Sequence, residues 1–472
     1  MPLLANPCIL STVYGSMKTR LPWGETDIEL QLPSEWRVIV EGQPKNLPAC
    51  GSIEGEFTRA MSATIGTKPL AQRDLHARKI VLVVDDLTRP TPAHLFFPYL
   101  LRELDSAGAE RRNLLIVSAL GVHRPMTEAE MERKVGRDSL QGLRWANHNA
   151  YDDTGLALLG TTRANTRVFI NRRLVEADLI IAVGSIEPHV LAGFGGGLKL
   201  LVPGCAGAET IAHNHLCGAT GKEAALVGAD PEANPLRRDL EEAAGLLGKE
   251  VFLVNTVLNA RQEIVRIFAG HARLAHREGI QLASSIYGVP VPELADILIT
   301  DSAPMDTDLR QGSKCIGNVL GAVKEGGTIL AFLRCHEGLG DVKISGSSLP
   351  RPLLKALVRR MNRDQMLSFL NRFRRDLQVE EKFLALYSLQ ILKRNEVMAY
   401  APTLTAEQAR RLGSFRVMAK PEEMIRRAAA RAPHQATVAV FPHGGVTFPV
   451  LVGSRQTHSW ACSLMGDTSG RR

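Results

Sequence analysis

Five apolar runs of strand length, each closing on a polar or glycine-bearing exit, constrain this chain more than any other feature. KIVLVV (79–84), NLLIVSAL (113–120), Leu179 to Val183, ADILITDS (295–302) and TILAFL (328–333) are nearly continuous hydrophobic text. That is the pattern of strands buried on both faces. Helical periodicity over Ala93–Leu104, Leu240–Leu247 and His271–Tyr287 alternates with them, and VFLVN (251–255) adds a strand. Alternation of this kind predicts an α/β fold with largely parallel sheets. Ligands in such sheets sit outside the carboxyl ends of the strands. Asp85, Asp86, Thr88 and Arg89 follow the first run, and Gly121, Val122, His123 and Arg124 follow the second. Pro90 and Pro92 stiffen the first of these loops and allow a helix to begin after it.

The length, 472 residues, suits two domains. The expected division is an N-terminal α/β domain over 1–290, joined by the C-terminal segment 430–472, and a second α/β domain over 291–429. The active site is expected in the cleft between them, with Pro290 and Pro292 at the hinge. Residues 1–13 read as a leader and the text from Thr457 as a loose tail. Residues 350–395 read as a basic amphipathic helix pair with a solvated face.

The chemistry concentrates in residues 177–216. A buried-strand pattern leads to His189, glycines at 193, 195, 196 and 197, then Lys199, His213 and His215. Glycines let a backbone approach a ligand closely. A lysine just after them can reach a phosphate or attack a carbonyl, and histidines can act as acid, base or metal ligand. The segment is not a P-loop, because Leu198 and Leu200 flank Lys199 where Gly-Lys-Ser/Thr is required. It also lacks the third glycine of a dinucleotide fingerprint, where Leu198 stands. A glycine cluster alone would mean a turn opening a helix with a solvated lysine; the flanking histidines put function first. Single readings elsewhere are blander: Asp86 as a turn cap, Arg89 in an ion pair, His148 as structural.

Composition excludes several classes. The net charge of +8 suits anionic small molecules. Aromatics are 5% and no basic stripe interleaves with them, so nucleic acid is not expected as a partner. Seven widely spaced cysteines without a C-x-x-C argue against a disulfide framework or zinc ribbon, and for a reducing, cytoplasmic setting. No apolar run reaches membrane-span length, so no membrane partner is expected.

Pro188-His189, Ala192-Gly193, Gly196-Gly197-x-Lys199, Pro203-Gly204 and His215 together resemble the core of the nickel-dependent lactate racemase family. DDLTRPTP, GVHRPMT, the opening YGSMKTRLPWGETDIELQLP and the closing VAVFPHGGVTFP resemble the same family, so the likeness runs from about Tyr14 to Pro449. The resemblance implies a 2-hydroxyacid racemase or epimerase working by hydride transfer through a 2-keto acid. It implies a nickel-pincer nucleotide (pyridinium-3,5-bisthiocarboxylic acid mononucleotide nickel) joined covalently to Lys199, with His215 on nickel. It also implies acid/base roles for His123 and His189. Asp86, Thr88, Gly196 and Gly197 fall to cofactor contacts, and Arg89, Gln311, Lys314 and Arg310 to substrate. A small anionic 2-hydroxy acid and the proteins that make the cofactor would be the partners. His213, two residues from His215 on a helix, points elsewhere and reads as packed or supporting.

Two positions depart from the family pattern. Gly195 stands where serine is frequent, and Arg310 where an aromatic residue is usual. Arg310 raises the expectation of a substrate with a second anionic or polar group, such as malate or a sugar acid. Two rival functions stay open at this level: a zinc hydrolase built on His123, His189 and His215, and a non-catalytic anion or nucleotide sensor using the glycine cluster and Arg89.

Overall fold

The computed structural model describes residues 17–218, 227–340, 350–377, 379–412 and 414–452. The expected leader and tail lie outside them. The first of two six-stranded sheets runs, edge to edge, Ile264–His271, Val251–Leu258, Leu179–Ser185, Ile80–Asp85, Leu114–Ala119 and Arg144–Asn147. Its strands are parallel except for the antiparallel edge Ile264–His271. Two-sided burial is plain at its centre: Ile80, Leu82 and Val84 pack into one core, Val81 and Val83 into the other. Each such side chain contributes about 1.5–3 kcal/mol by leaving water.

The second sheet runs Arg416–Met418, Glu396–Tyr400, Val323–Phe332, Ala295–Asp301, Thr437–Phe441 and Arg37–Glu41, all parallel. The hairpin Met17–Trp23 with Thr26–Leu32 packs on it, Leu21 and Leu30 sharing a core with Ile297, Ile299 and Leu330. This corrects the expected division of the chain. Residues 17–41 and 437–441 belong with the second sheet, not the first, because their apolar side chains cover its open face and edge. The expected hinge is also a strand: Gly288–Val291 pairs in parallel with Phe448–Leu451. A two-stranded ribbon tolerates Pro290 and Pro449 because each can turn its nitrogen away from the partner.

Each sheet reverses direction at its centre. In the first, the chain leaves Ile80–Asp85 toward one edge and returns to Leu179–Ser185 on the other side. In the second, the same happens between Ala295–Asp301 and Thr437–Phe441. Such switch points open a crevice at the carboxyl ends of the two strands.

The basic stretch forms three helices, Arg351–Arg360, Arg363–Phe373 and Val379–Arg394. The last is not a solvated face. Leu386 and Leu392 are fully buried, and the helix packs on Ala208–Gly218. Among the described residues, no helix is long and apolar enough to cross a membrane.

Candidate active site

The crevice of the first sheet is the floor of a cavity whose opposite wall comes from helices and loops packed around the second sheet. Asp86, Arg89, His123, His189, Gly196, Lys199, His215, Arg310, Gln311 and Lys314 all line it. Thr88 and Gly197 do not. Thr88 faces an adjoining cleft, and Gly197 lies behind the wall, where a Cβ would stand 2.8 Å from the His276 ring.

Asp86 and His123 form a close pair. His123 Nδ1 lies 2.5 Å from Asp86 Oδ2, and Thr88 donates to Asp86 Oδ1 from its backbone N–H at 2.9 Å and its hydroxyl at 2.5 Å. Burial would raise the Asp86 carboxyl, but the charge and hydrogen bond of His123, then Thr88 and Arg89, outweigh it and hold Asp86 far below the usual carboxylate range. An ionised carboxylate only accepts, so His123 donates to it through Nδ1.

His189 has the opposite arrangement. Its Nδ1 accepts from the backbone N–H groups of Leu191 and Ala192 at 3.3 and 3.2 Å. Burial, reinforced by Lys199, Arg89, Lys314 and His215, drives its pKa well below the usual value. A neutral His189 whose Nδ1 accepts carries its proton on Nε2. The cavity thus holds two imidazoles anchored through Nδ1 in different ways, one by a carboxylate and one by backbone N–H groups.

Lys199 occupies the short 3-10 helix Gly197–Leu200. Burial, then Arg89, pushes its ammonium down to about 7. A substantial fraction is therefore neutral amine near neutral pH. The glycines before it have a packing cause as well. Gly196 and Gly197 have φ of +66° and +61°, and a Cβ at Gly196 would sit 2.5 Å from Asn255 Oδ1.

His215 lies in the helix Ala208–Gly218 and donates from Nδ1 to the Ile211 carbonyl at 2.8 Å. That bond places the ring's lone pair on Nε2, the form in which histidine binds metal. Phe383 meets the ring edge-on at 5.4 Å. His213 is held elsewhere, 2.8 Å from the Thr166 hydroxyl, and His148 is buried against the Ala206 carbonyl. Among the described residues, no three His, Cys, Asp or Glu side chains come together as a metal-binding set. The three histidines of the zinc reading therefore do not form one.

On the opposite wall, Asp308 caps the turn Leu309–Gly312, which brings Arg310 and Gln311 to the cavity. Lys314 donates to Gln311 Oε1. Arg89, Lys199, Arg310 and Lys314 make the cavity cationic toward its contents, with apolar surface from Leu200, Phe383, Tyr387 and Ile391.

Several residues that build the site gave little sign in the sequence. Lys134 is 1% exposed on the helix Glu128–Val135, whose start is fixed by a Thr127/Glu130 capping box. Its ammonium donates to the carbonyls of Asp86 and Thr91 at 3.0 and 3.2 Å and lies 2.5 Å from Asp85 Oδ1. Arg237 is fully buried on the helix Pro235–Gly245 and donates to the carbonyls of Ala192, Phe194 and Gly196. The two buried cations thus bind the carbonyls of the two loops that carry Asp86, Arg89, His189 and Lys199. Glu187, two residues before His189, lines the floor at 5% exposure. An acidic residue at the exit of a buried strand was the available signal for it; Lys134 and Arg237 sit in ordinary amphipathic text. Phe383 and Tyr387 lay in the stretch read as solvated.

The chain matches the model of the lactate racemase N-terminal domain over residues 23–227. It is 34% identical over 324 residues to a lactate racemase of Thermoanaerobacterium thermosaccharolyticum, covering 68% of this chain and 75% of that protein. A lactate racemase of Lactiplantibacillus plantarum is 32% identical over 284 residues, 60% of this chain and 66% of the relative. The lactate racemase apoprotein from T. thermosaccharolyticum superposes with a TM-score of 0.77 at 28% identity, covering 92% of this chain and all of that one. A Thermotoga maritima protein shares the fold at a TM-score of 0.62 and 20% identity, covering 87% of this chain.

Proposed function

The chain belongs to the lactate racemase family of isomerases, and from that premise we propose that it inverts a small 2-hydroxy acid by reversible hydride transfer on a nickel-pincer nucleotide. The observation that carries the proposal is that His123, His189, Lys199 and His215 line one cavity, with His123 Nδ1 held by Asp86 and His189 Nδ1 held by two backbone N–H groups. Removing the C2 hydrogen as a proton would leave a carbanion beside a carboxylate. Moving it as a hydride requires that the hydroxyl proton leave at the same time, and a 2-keto acid results. The nucleotide, when bound, supplies the hydride acceptor.

This chain's residues do the rest. One of His123 and His189 takes the hydroxyl proton of one enantiomer as a neutral imidazole, and the other gives a proton as an imidazolium when the opposite enantiomer forms. The roles exchange in the reverse direction. Arg89 can grip the substrate carboxylate through two parallel N–H bonds, with Lys314 and Gln311 on the opposite wall. Apolar surface from Leu200, Phe383 and Ile391 lowers the local dielectric and strengthens these contacts.

The residues present also fit the cofactor. Lys199, with its ammonium pushed down to about 7, suits a covalent bond to an acyl-type carbon. His215, its Nδ1 tied to Ile211, offers Nε2 to nickel. The test is the intact mass and nickel content of the full chain co-produced with the cofactor-synthesis proteins. A mass addition localised to Lys199, near-stoichiometric nickel and racemisation of a 2-hydroxy acid are expected. An unmodified Lys199 without nickel, in a host that loads another family member, would overturn the proposal.

A further inference from the structure

A buried file of oxygens runs beneath the cavity floor between the strands Ile80–Asp85 and Leu179–Ser185. Thr91 Oγ1 lies 2.5 Å from Asp85 Oδ2 and 3.0 Å from Ser185 Oγ, and Ser185 Oγ lies 2.7 Å from Glu187 Oε2. Each of these oxygen–oxygen contacts needs one hydrogen between the pair. Thr91 and Ser185 bring one each. The third must be a carboxyl proton, on Asp85 or on Glu187. Asp85 is the poorer host, because the Lys134 ammonium stands 2.5 Å from its Oδ1 and favours the ionised form.

We infer that Glu187 is a neutral carboxylic acid, and that its neutrality leaves the charge of Arg89 available to the substrate carboxylate. The chain of donors is then consistent in one direction: Glu187 donates to Ser185, Ser185 to Thr91, and Thr91 to the ionised Asp85. Arg89 Nη1 lies 3.8 Å from Glu187 Oε1, on the oxygen that faces away from Ser185. An ionised Glu187 would hold Arg89 as a salt-bridge partner and compete with any carboxylate entering the cavity. Glu187 is therefore a positioning residue, acting through Arg89.

Gly195 belongs to the same arrangement. A Cβ there would fall 2.4 Å from Glu187 Oε1, so the missing side chain is the space the carboxyl occupies. The charged and titratable groups facing Glu187 are Arg89, Asp85 and Lys199 on the cavity side, and Arg237 and Tyr287 from the helices behind. Burial drives Glu187 up from the ordinary carboxyl value, against the pull of Arg89. Burial drives Asp85 up as well, and the contact with Lys134 is what assigns the shared proton to Glu187.

The inference rests on the hydroxy-acid reading of the cavity, but its first test does not. Infrared spectra of the full chain at pH 7 are expected to show a protonated-carboxyl carbonyl band that Glu187→Gln removes, any other protonated carboxyl remaining in both spectra. Identical band intensity in the two proteins overturns the inference. Thr91→Val removes two of the three contacts and one of the two hydroxyl hydrogens, and lets Ser185 donate to an ionised Glu187. The band should then titrate at lower pH than in wild type, and an unchanged titration overturns the inference independently of how Glu187→Gln folds. Calorimetric titration with lactate tests the consequence. Wild-type affinity should fall about tenfold as pH rises past the band's titration, the weight of one charge-assisted contact, while Glu187→Gln stays flat. The same fall in both proteins would overturn the role assigned to Arg89. If lactate bound neither protein while the band behaved as expected, the proton assignment would stand and the substrate reading would fail.

Discussion

The two sheets present the same device, a switch point at the centre of a parallel sheet, and use it in opposite ways. In the first, the crevice beyond Asp85 and Ser185 is open and lined with charge. In the second, the crevice beyond Asp301 and Phe441 is stoppered by the chain itself. The turn after Phe441 fills it so tightly that a Cβ at Gly444 would lie 1.9 Å from Thr300 Oγ1, and one at Gly445 2.6 Å from the Ser302 carbonyl. Even the supports correspond. Lys134 binds loop carbonyls beneath the open crevice, while the neutral amide of Asn318 donates to the carbonyls of Gly444 and Gly445 in the closed one. A charged support is needed only where ionised carboxylates must be held next to the loop. The difference teaches that strand order creates the opportunity for a site, and that the loop after the strand decides whether chemistry or packing fills it.

The largest expected effect breaks the pair of histidines. His189→Ala should lower turnover by about 10²–10⁴-fold, the usual worth of a positioned acid or base, while Asp301→Asn in the closed crevice should leave turnover within a few-fold. Steady-state rates on both enantiomers of the substrate would check this. Comparable losses would mean that both crevices serve the reaction.

Next comes the support beneath the open crevice. Lys134→Met leaves Asp85 buried without its cation and should cost about 3–5 kcal/mol of stability, read from denaturant unfolding. A loss near that of a neutral core change would show that the loop does not depend on a buried charge.

The opposite wall is expected to tune selectivity. Arg310→Tyr should shift the ratio of malate to lactate turnover by about tenfold toward lactate, since a charge-assisted contact is worth at least that factor. Competition kinetics would measure it; an unchanged preference, or a wild type that never turns over malate, removes Arg310 from substrate selection.

The smallest effect concerns pH. Burial pushes Asp301 up to about 8, against hydrogen bonds from the N–H groups of Ala303 and His443. The folded state keeps a proton there that the unfolded chain releases near pH 4. Stability from this group is therefore complete at low pH and falls as pH rises from about 4 to about 8. Asp301→Asn should remove that slope from unfolding curves collected between pH 5 and 8, and an unchanged slope would assign it to other groups.

The strand runs were legible because two-sided burial leaves an unbroken apolar signature. Strand ends follow from strand positions, so the sequence alone marks Asp86, Arg89, His123 and His189 as candidates. Their protonation was not legible. Which nitrogen of His123 or His189 carries the proton depends on Asp86 and on two backbone N–H groups, none of which sequence spacing brings into contact. Arg310, Gln311 and Lys314 were candidates through resemblance, and their place opposite His189 is a matter of how the second sheet packs. The Val379–Arg394 helix misled for a related reason: its charges suggested solvent, yet Phe383 and Tyr387 face the cavity.

What the sequence determined by itself was the class of fold, the strand ends that bear charged and imidazole side chains, and the ordered motifs that mark the family. These are local properties, fixed by hydrophobic periodicity and by short spacings along the chain. What the tertiary structure decided was everything that depends on distance across the fold: the placement of residues 17–41 and 437–441 in the second sheet, the open crevice against the stoppered one, the opposed histidines, and the buried cations beneath the loops. Charge and hydrogen-bond energies are set by a few ångströms and by the exclusion of water, and residues such as Lys134 and Asp85, or Arg237 and Phe194, come within that range only after the chain has folded.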